Sequence, residues 1–233
     1  MLTPPLLEIA VANLERARAT ERAGAGRIEL CEQLELGGLT PGLDLVRQAR
    51  AAVILPFHVL VRPRPGNFVY SAVEFSAMKS QIAALRREHI QGIVTGILRP
   101  DCSVDIERTR ELVEAAAPLE VTFHRAFDET PDLLQSLEAV ILTGARRLLT
   151  SGGKPSAADS SGLLRQLIAH AAGRIQILPG GGLHAGNIAV VAQLLGVREL
   201  HTGLGAVLPY NDPDSAKFES ALRACLAALR NSA

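Results

Sequence analysis

Eight times along the chain, a short apolar run rich in Val, Ile and Leu gives way to a longer amphipathic stretch. That alternation is the signature of repeated βα units around a parallel sheet, whose strands are covered on both faces. The predicted strands are LLEIAV from Leu6, RIELCE from Arg27, PFHVLVRP from Pro56, GIVTGIL from Gly92, EVTFHRAF from Glu120, RRLLTS from Arg146, RIQILP from Arg174 and ELHTG from Glu199. Eight units of similar size close more naturally than they stay open. The sequence therefore predicts a (β/α)8 TIM barrel, with a doubly wound open sheet as the alternative. At 233 residues the chain is near the roughly 250 typical of such a barrel. No Pro/Gly/Ser-rich linker divides it, so residues 1–233 are expected to form a single TIM-barrel domain.

Helix boundaries follow from local chemistry. Asn13, Ser71 and Asp105 stand where helices should start, and Thr130 with Pro131 predicts another start. Gly24, Gly144 and Gly196 stand where helices should stop, each shortly before the next strand.

Lys plus Arg equals Asp plus Glu at 24 each, so no global field favours nucleic acid or an anionic membrane. No apolar run approaches the roughly 20 residues that span a bilayer, and the first residues lack a basic start and a small-residue cleavage site. The expectation is a soluble, cytoplasmic protein with no nucleic acid and no membrane partner. Cys31, Cys102 and Cys225 are widely spaced with no CxxC pair, which indicates neither a disulfide framework nor structural zinc.

Side chains alternate across a strand, so residues two apart share a face. Glu29 and Cys31 then share a face on the second strand, His58, Leu60 and Arg62 on the third, and Thr122, His124 and Ala126 on the fifth, with Asp128 just beyond. Glu8, Thr150, Gln176 and His201 fall at similar depths on the first, sixth, seventh and eighth. The opposite faces read Leu7, Ile9, Val11, Phe57, Val59, Val61, Val121, Phe123, Ile175 and Ile177, as packing under helices requires. The polar set is therefore expected to point into the barrel. An unpaired buried charge costs several kcal/mol, so these groups must pair with one another, bind a ligand or hold a metal.

Three glycine-rich loops follow late strands: Ser151-Gly152-Gly153, Gly180-Gly181-Gly182 and Gly203-Leu204-Gly205. Their amides could cradle an anion, as the last loops of such barrels often do, or the glycines could simply make tight turns. The segment from Val61 to Ser71 places Arg62, Arg64, Phe68 and Tyr70 in a Pro-ordered loop. It reads as a clamp in which the two arginines grip a carboxylate or phosphate, or else as a solvated connection.

The motifs RIELCEQLELGGLTP, FHVLVRPRPGNFVYS, IVTGIL, VTFHRAFD, LLTSGG and LPGGGL occur in an order that resembles the CutC family of copper-homeostasis proteins, from the first strand to the eighth. The resemblance implies a (β/α)8 barrel, a cytoplasmic location, copper handling through Cu(I) binding, and a homodimer or higher homo-oligomer. The positions that match the family's polar pocket are Glu29, Cys31, His58, Arg62, Arg64, His124, Arg125, Asp128 and His201. The chain departs from the pattern at Pro65 and Asn67, where members commonly read Gly and Asp, and at Ala10 and Val11, where some carry cysteines.

Two functions of different class follow. In the first, copper is bound by Cys31 with His58, His124 or His201, since soft Cu(I) favours thiolate and Cys31 is the one thiol sharing a face with the pocket residues. The second is an acid/base isomerase or lyase acting on a small phosphorylated or carboxylated metabolite. There Glu29, His124 and Asp128 are the candidate catalytic groups, and Arg62, Arg64, Ser151, Gly152, Gly181, Gly182 and Gly203 bind the anion. A third, a divalent-metal hydrolase on Glu29, His58, His124 and His201, lacks a clear second carboxylate.

Overall fold

The computed structural model describes residues 4–231. Its strands are β1 Leu6–Val11, β2 Arg27–Leu30, β3 Phe57–Leu60, β4 Gly92–Thr95, β5 Glu120–Phe123, β6 Arg147–Thr150, β7 Gln176–Pro179 and β8 Glu199–Thr202. All neighbours are parallel, in the order β7-β6-β5-β4-β3-β2-β1-β8. A parallel bridge from Gly180 to His201 joins the two ends. The helices are α1 Leu14–Ala23, α2 Leu43–Ala52, α3 Ala72–Leu85, α4 Ile106–Ala116, α5 Leu133–Thr143, α6 Ser161–Ala171, α7 Ile188–Leu195 and α8 Ser215–Asn231. The chain is a (β/α)8 TIM barrel, and no described helix is long and apolar enough to cross a membrane.

The caps anticipated from the sequence form at three helices. Asn13 accepts from Arg16 N–H at 2.9 Å, Ser71 and Glu74 make a reciprocal capping box, and Asp105 accepts from Arg108 N–H. Gly24, Gly144 and Gly196 end α1, α5 and α7 in the left-handed region. The start of α5 differs. Asp132 is its cap, accepting from Gln135 N–H at 3.0 Å, whereas the Thr130 hydroxyl turns back to Phe127 O and closes a 3-10 turn over Arg125–Glu129.

Most strands are shorter than the apolar runs that announced them, because the loops leave the sheet as soon as the barrel wall is complete. Outward faces supply the core under the helices, including Leu7, Ile9, Ile28, Phe57, Val59, Phe123, Leu148 and Leu200. Inside the barrel near its mouth, Ala10, Cys31, Leu34, Leu60 and Val94 form a separate small apolar cluster. The expectation for Thr150 is corrected. Pairing of Thr122 with Arg147 turns Arg147 and Leu149 inward and leaves Thr150 on the outer face with Leu148.

The base of the barrel is ionic. Arg27 bonds Glu8 and, at 2.5 Å, Glu199; Arg147 bonds Glu199 at 2.9 Å and Glu120 at 2.5 Å. Arg27, Glu120, Arg147 and Glu199 are the first residues of their strands, so the ring closes the end opposite the active mouths of this fold, where polar groups serve stability.

Candidate active site

At the C-terminal mouth lies a cavity of about 180 Å³ lined by Glu29, His201, His124, Arg62, Arg125, Phe68 and Tyr210, with Gly181, Gly182, Gly203 and Gly205 along one rim and Ala10, Leu34, Leu60 and Leu149 as its apolar wall. Glu29 and His201 come from the strands themselves, and His124 follows β5 directly with extended backbone, so it keeps the strand's inward phase.

His201 is the centre of the polar set. Its Nδ1 lies 2.7 Å from Glu8 Oε1 and 3.9 Å from Glu29 Oε2. Burial alone would lower its pKa, but the charges of Glu29 and Glu8 and the Glu8 hydrogen bond outweigh it and raise the ring above its ordinary value. Burial would likewise raise Glu8, yet the hydrogen bond and charge of His201, with Arg27, hold it well below the carboxylate range. For Glu29, burial and the neighbouring Glu8 charge prevail over His201 and Arg27 and push the carboxyl up to about 7. Its Oε2 is buried with no hydrogen-bond partner. Glu8, Glu29 and His201 offer three donor atoms within 4.8 Å of one another.

The anion end is built by loops. Gly180 must be glycine for the walls to meet, since a Cβ there would stand 2.6 Å from Leu149 Cδ1 and 2.9 Å from His201 Cβ. Gly181 and Gly182 follow at φ +99° and +65°, the left-handed region. The backbone N–H groups of Gly181, Gly182 and Gly203 take no acceptor among the described residues. Arg125 Nη1 would lie 3.2 Å from a Cβ at Gly181, so its guanidinium overhangs the same rim.

The structure sorts the sequence-derived candidates. Glu29, His124, His201, Arg62, Gly181, Gly182 and Gly203 gather around the cavity. Asp128 does not line it. Its carboxylate accepts from Arg125 Nε at 2.8 Å, Thr150 Oγ1, Ser151 N and Oγ, and Gly153 N, so it braces the loop after β6. Ser151 and Gly152 belong to that brace and also lie off the cavity, their polar atoms engaged by Asp128 and by the Thr150 hydroxyl. Arg64 points elsewhere, bonded to Glu74 at 2.5 Å and to Val69 O, with its guanidinium over Tyr70.

The proposed metal set of Cys31, His58 and His201 is not brought together. Cys31 is fully buried in the apolar cluster, with its thiol facing Val11 O at 3.6 Å. Burial, then the charges of Glu29, Glu32 and Glu35, push that thiol well above its ordinary pKa, the opposite of what a thiolate ligand needs. His58 lines a different cavity at the barrel base, with Arg27, Arg147 and Glu120. Burial lowers its pKa to about 4, against the pull of Glu8. The hydrolase set fails for the same reason, since His58, with its Nδ1 3.5 Å from Glu8, lines the base cavity and not the mouth cavity of Glu29, His124 and His201.

Residues missed at first are Tyr210, in an irregular loop that carries no periodic signal, and the ionic ring of Arg27, Arg147, Glu120 and Glu199. The ring was findable. Each residue stands two before a position that faces inward, namely Glu29, Leu149, Thr122 and His201.

Comparison with known proteins adds independent information. The model of the CutC family matches residues 5–206. A CutC protein of Mesorhizobium japonicum is 47% identical over 197 residues, which cover 84% of this chain and 76% of that protein. One of Chromobacterium violaceum is 42% identical over 196 residues, covering 84% and 79%. The crystal structure of a CutC from Streptococcus agalactiae, named for copper homeostasis, superposes with a TM-score of 0.81 at 30% identity, covering 85% of this chain and 98% of that one. With the family model matched over residues 5–206 and these relatives at 30–47% identity, the chain belongs to the CutC family.

Proposed function

We propose that this protein is a TIM-barrel enzyme that moves a proton on a small phosphorylated or carboxylated metabolite. The observation that carries the reading is the Glu29 carboxyl, raised to about 7 in a buried pocket beside His201. A general acid or base works best when its pKa lies near the working pH, and buried pairs with shifted values concentrate at catalytic sites. Arg125 with the free amides of Gly181, Gly182 and Gly203 supplies the anion end. Schiff-base chemistry finds no support, because the chain's three lysines, Lys79, Lys154 and Lys217, all lie outside the pocket.

The test is proton exchange. The protein is incubated in D2O with a panel of small phosphorylated and carboxylated hydroxy-ketones and keto acids, and proton NMR follows deuterium entry at carbons beside the carbonyl. Exchange catalysed by the wild type and lost in Glu29→Gln is expected. No exchange on any member, or full exchange by Glu29→Gln, would overturn the reading.

Copper homeostasis is the second reading, supported by membership of the CutC family and by the name of the Streptococcus agalactiae relative. Copper is then cargo. Cys31, protonated and sealed, does not fit Cu(I), and among the described residues no other sulfur joins the mouth. The Glu8, Glu29 and His201 donors form an oxygen and nitrogen set suited to Cu(II) or Zn(II) rather than Cu(I), but both Glu8 oxygens are already engaged by His201 and Arg27. A cytoplasmic location and a homo-oligomer rest on the resemblance alone, and light scattering on the purified protein tests the latter.

A further inference from the structure

We infer that His124 and Arg62 form a preformed site for a carbonyl oxygen, on a substrate whose adjacent carbon gives up its proton to Glu29. This rests on the acid/base reading above and names the substrate class for that site: a carbonyl compound with an ionisable C–H beside the C=O, carrying an anion.

The argument begins with hydrogen bonds left unmade. His124 Nδ1 accepts from Ala126 N–H at 3.3 Å, so a neutral ring carries its proton on Nε2. That Nε2 is buried and meets no acceptor. Arg62 spends its two terminal nitrogens on backbone carbonyls, Nη1 on Leu36 and Gly38 and Nη2 on Gly66, each at 3.0 Å. Two N–H groups remain, one on Nη2 and the Nε–H; the Nε–H is buried with no acceptor in hydrogen-bond geometry, and the Tyr70 hydroxyl lies beside the guanidinium. Both side chains are 6% exposed and both line the mouth cavity. They flank one aromatic ring, His124 at 4.7 Å and the Arg62 guanidinium at 4.9 Å from the Phe68 centroid.

A buried donor without an acceptor is costly, because it has given up its bond to water and gained none in return. Two of them on residues that line one cavity, with an unpartnered carboxylate oxygen of Glu29 on a third, suit a ligand with an acceptor oxygen next to a removable proton. Burial and the Arg62 charge hold His124 neutral, with a pKa of about 3, so the ring donates a hydrogen bond rather than a proton. When Glu29 takes the proton, the C–H pair becomes the carbon–carbon π bond and the carbonyl π pair moves onto oxygen. The new charge then sits where His124 Nε2–H and Arg62 Nε–H can hold it. His124 is thereby an oxygen-binding group, not a proton shuttle.

The test uses two probes that share an anion: ethyl phosphate, and phosphoglycolohydroxamate, which adds an enediolate-like pair of oxygens. Their affinities for wild type, His124→Gln and His124→Phe are measured by calorimetry, and ¹⁵N NMR reads the His124 tautomer. The hydroxamate should bind about ten- to a hundredfold tighter than ethyl phosphate. His124→Phe should lose that advantage and His124→Gln, which keeps a donor, should retain most of it, while the wild-type ring shows neutral Nε2–H from pH 5 to 8. Ethyl phosphate bound with no gain for the hydroxamate, a gain that survives in His124→Phe, or a ring proton on Nδ1 overturns this inference alone. Neither probe bound by the wild type overturns the anion end of the proposed function and this site with it.

Discussion

Glu29 Oε2 faces His201 Nδ1 across 3.9 Å without a hydrogen bond, because Glu8 Oε1 already holds that nitrogen at 2.7 Å. One carboxylate fixes the ring and the other stays free to change its charge. Glu8 is ionised and committed, Glu29 is poised, and the difference comes from what each one touches.

That poise has a sign in stability. The groups acting on Glu29 are His201, Glu8 and Arg27, with burial the largest influence, and together they raise its pKa from 4.5 to about 7. Between these values the unfolded chain has released the proton and the native protein still binds it, so stability falls as pH rises through this window. The shift, in which the attraction to His201 is already included, corresponds to about 3 kcal/mol. Glu29→Gln removes the penalty. Urea unfolding should find the variant close to wild type at pH 5 and more stable than wild type at pH 8. A variant less stable at pH 8 than at pH 5, relative to wild type, would show that Glu29 is already ionised in the folded protein.

The sequence pattern anticipated a carboxylate partner for Arg62, but three carbonyls from two separate loops hold its guanidinium instead. Arg62→Ala therefore unties the loop at Leu36–Gly38 from the one at Gly66, and the expected loss is about 3 kcal/mol from charge-assisted hydrogen bonds. Arg62→Lys should recover only a minor part, since an ammonium cannot reproduce the planar fork. Denaturant midpoints at constant m-value check both, and an Arg62→Ala midpoint equal to wild type would mean the loops stay joined without it.

The barrel and the inward phase of Glu8, Glu29, His58, Arg62, His124 and His201 were legible because period-2 alternation survives as long as a residue lies on a strand or directly after it. Thr150 escaped because alternation says only which residues share a face, and the register of Thr122 against Arg147 decides which face turns inward. Asp128 and Arg64 escaped because they sit on a 3-10 turn and a loop, where alternation has no meaning. Height along the axis was hidden as well. His58 and His201 share an inward phase yet open to opposite ends of the barrel, and only the stagger of the closed sheet decides that.

Cys31 offers a direct contest between the two functional readings. It is sealed at 0% exposure with a raised pKa, whereas Cys102 is exposed in a turn and Cys225 is buried in α8. Competition with a chromogenic Cu(I) chelator under anaerobic conditions should show Cys31→Ser close to wild type and Cys102→Ser with the larger loss, the pattern of adventitious binding at an accessible thiol. A dominant effect of Cys31→Ser would favour the copper reading over the acid/base one.

Asp128 separates bracing from chemistry. Five donors converge on its carboxylate, which is 8% exposed: Arg125 Nε, Thr150 Oγ1, Ser151 N, Ser151 Oγ and Gly153 N. An acceptor with this many donors spends its lone pairs on the loop after β6 and does not line the cavity, so it is badly placed to move a substrate proton. Asp128→Ala leaves the part-buried Ser151 N–H and the Thr150 and Ser151 hydroxyls without this acceptor and should cost about 1–3 kcal/mol. Asp128→Asn keeps one acceptor oxygen but turns an NH2 toward donors, and it should release Arg125 from its seat above Gly181. The Asn variant should therefore bind inorganic phosphate more weakly, much as Arg125→Ala does, while deuterium exchange on a saturating substrate keeps its wild-type rate. Unchanged phosphate affinity combined with lost exchange at saturation would place Asp128 among the groups that carry the proton and return it to the catalytic set.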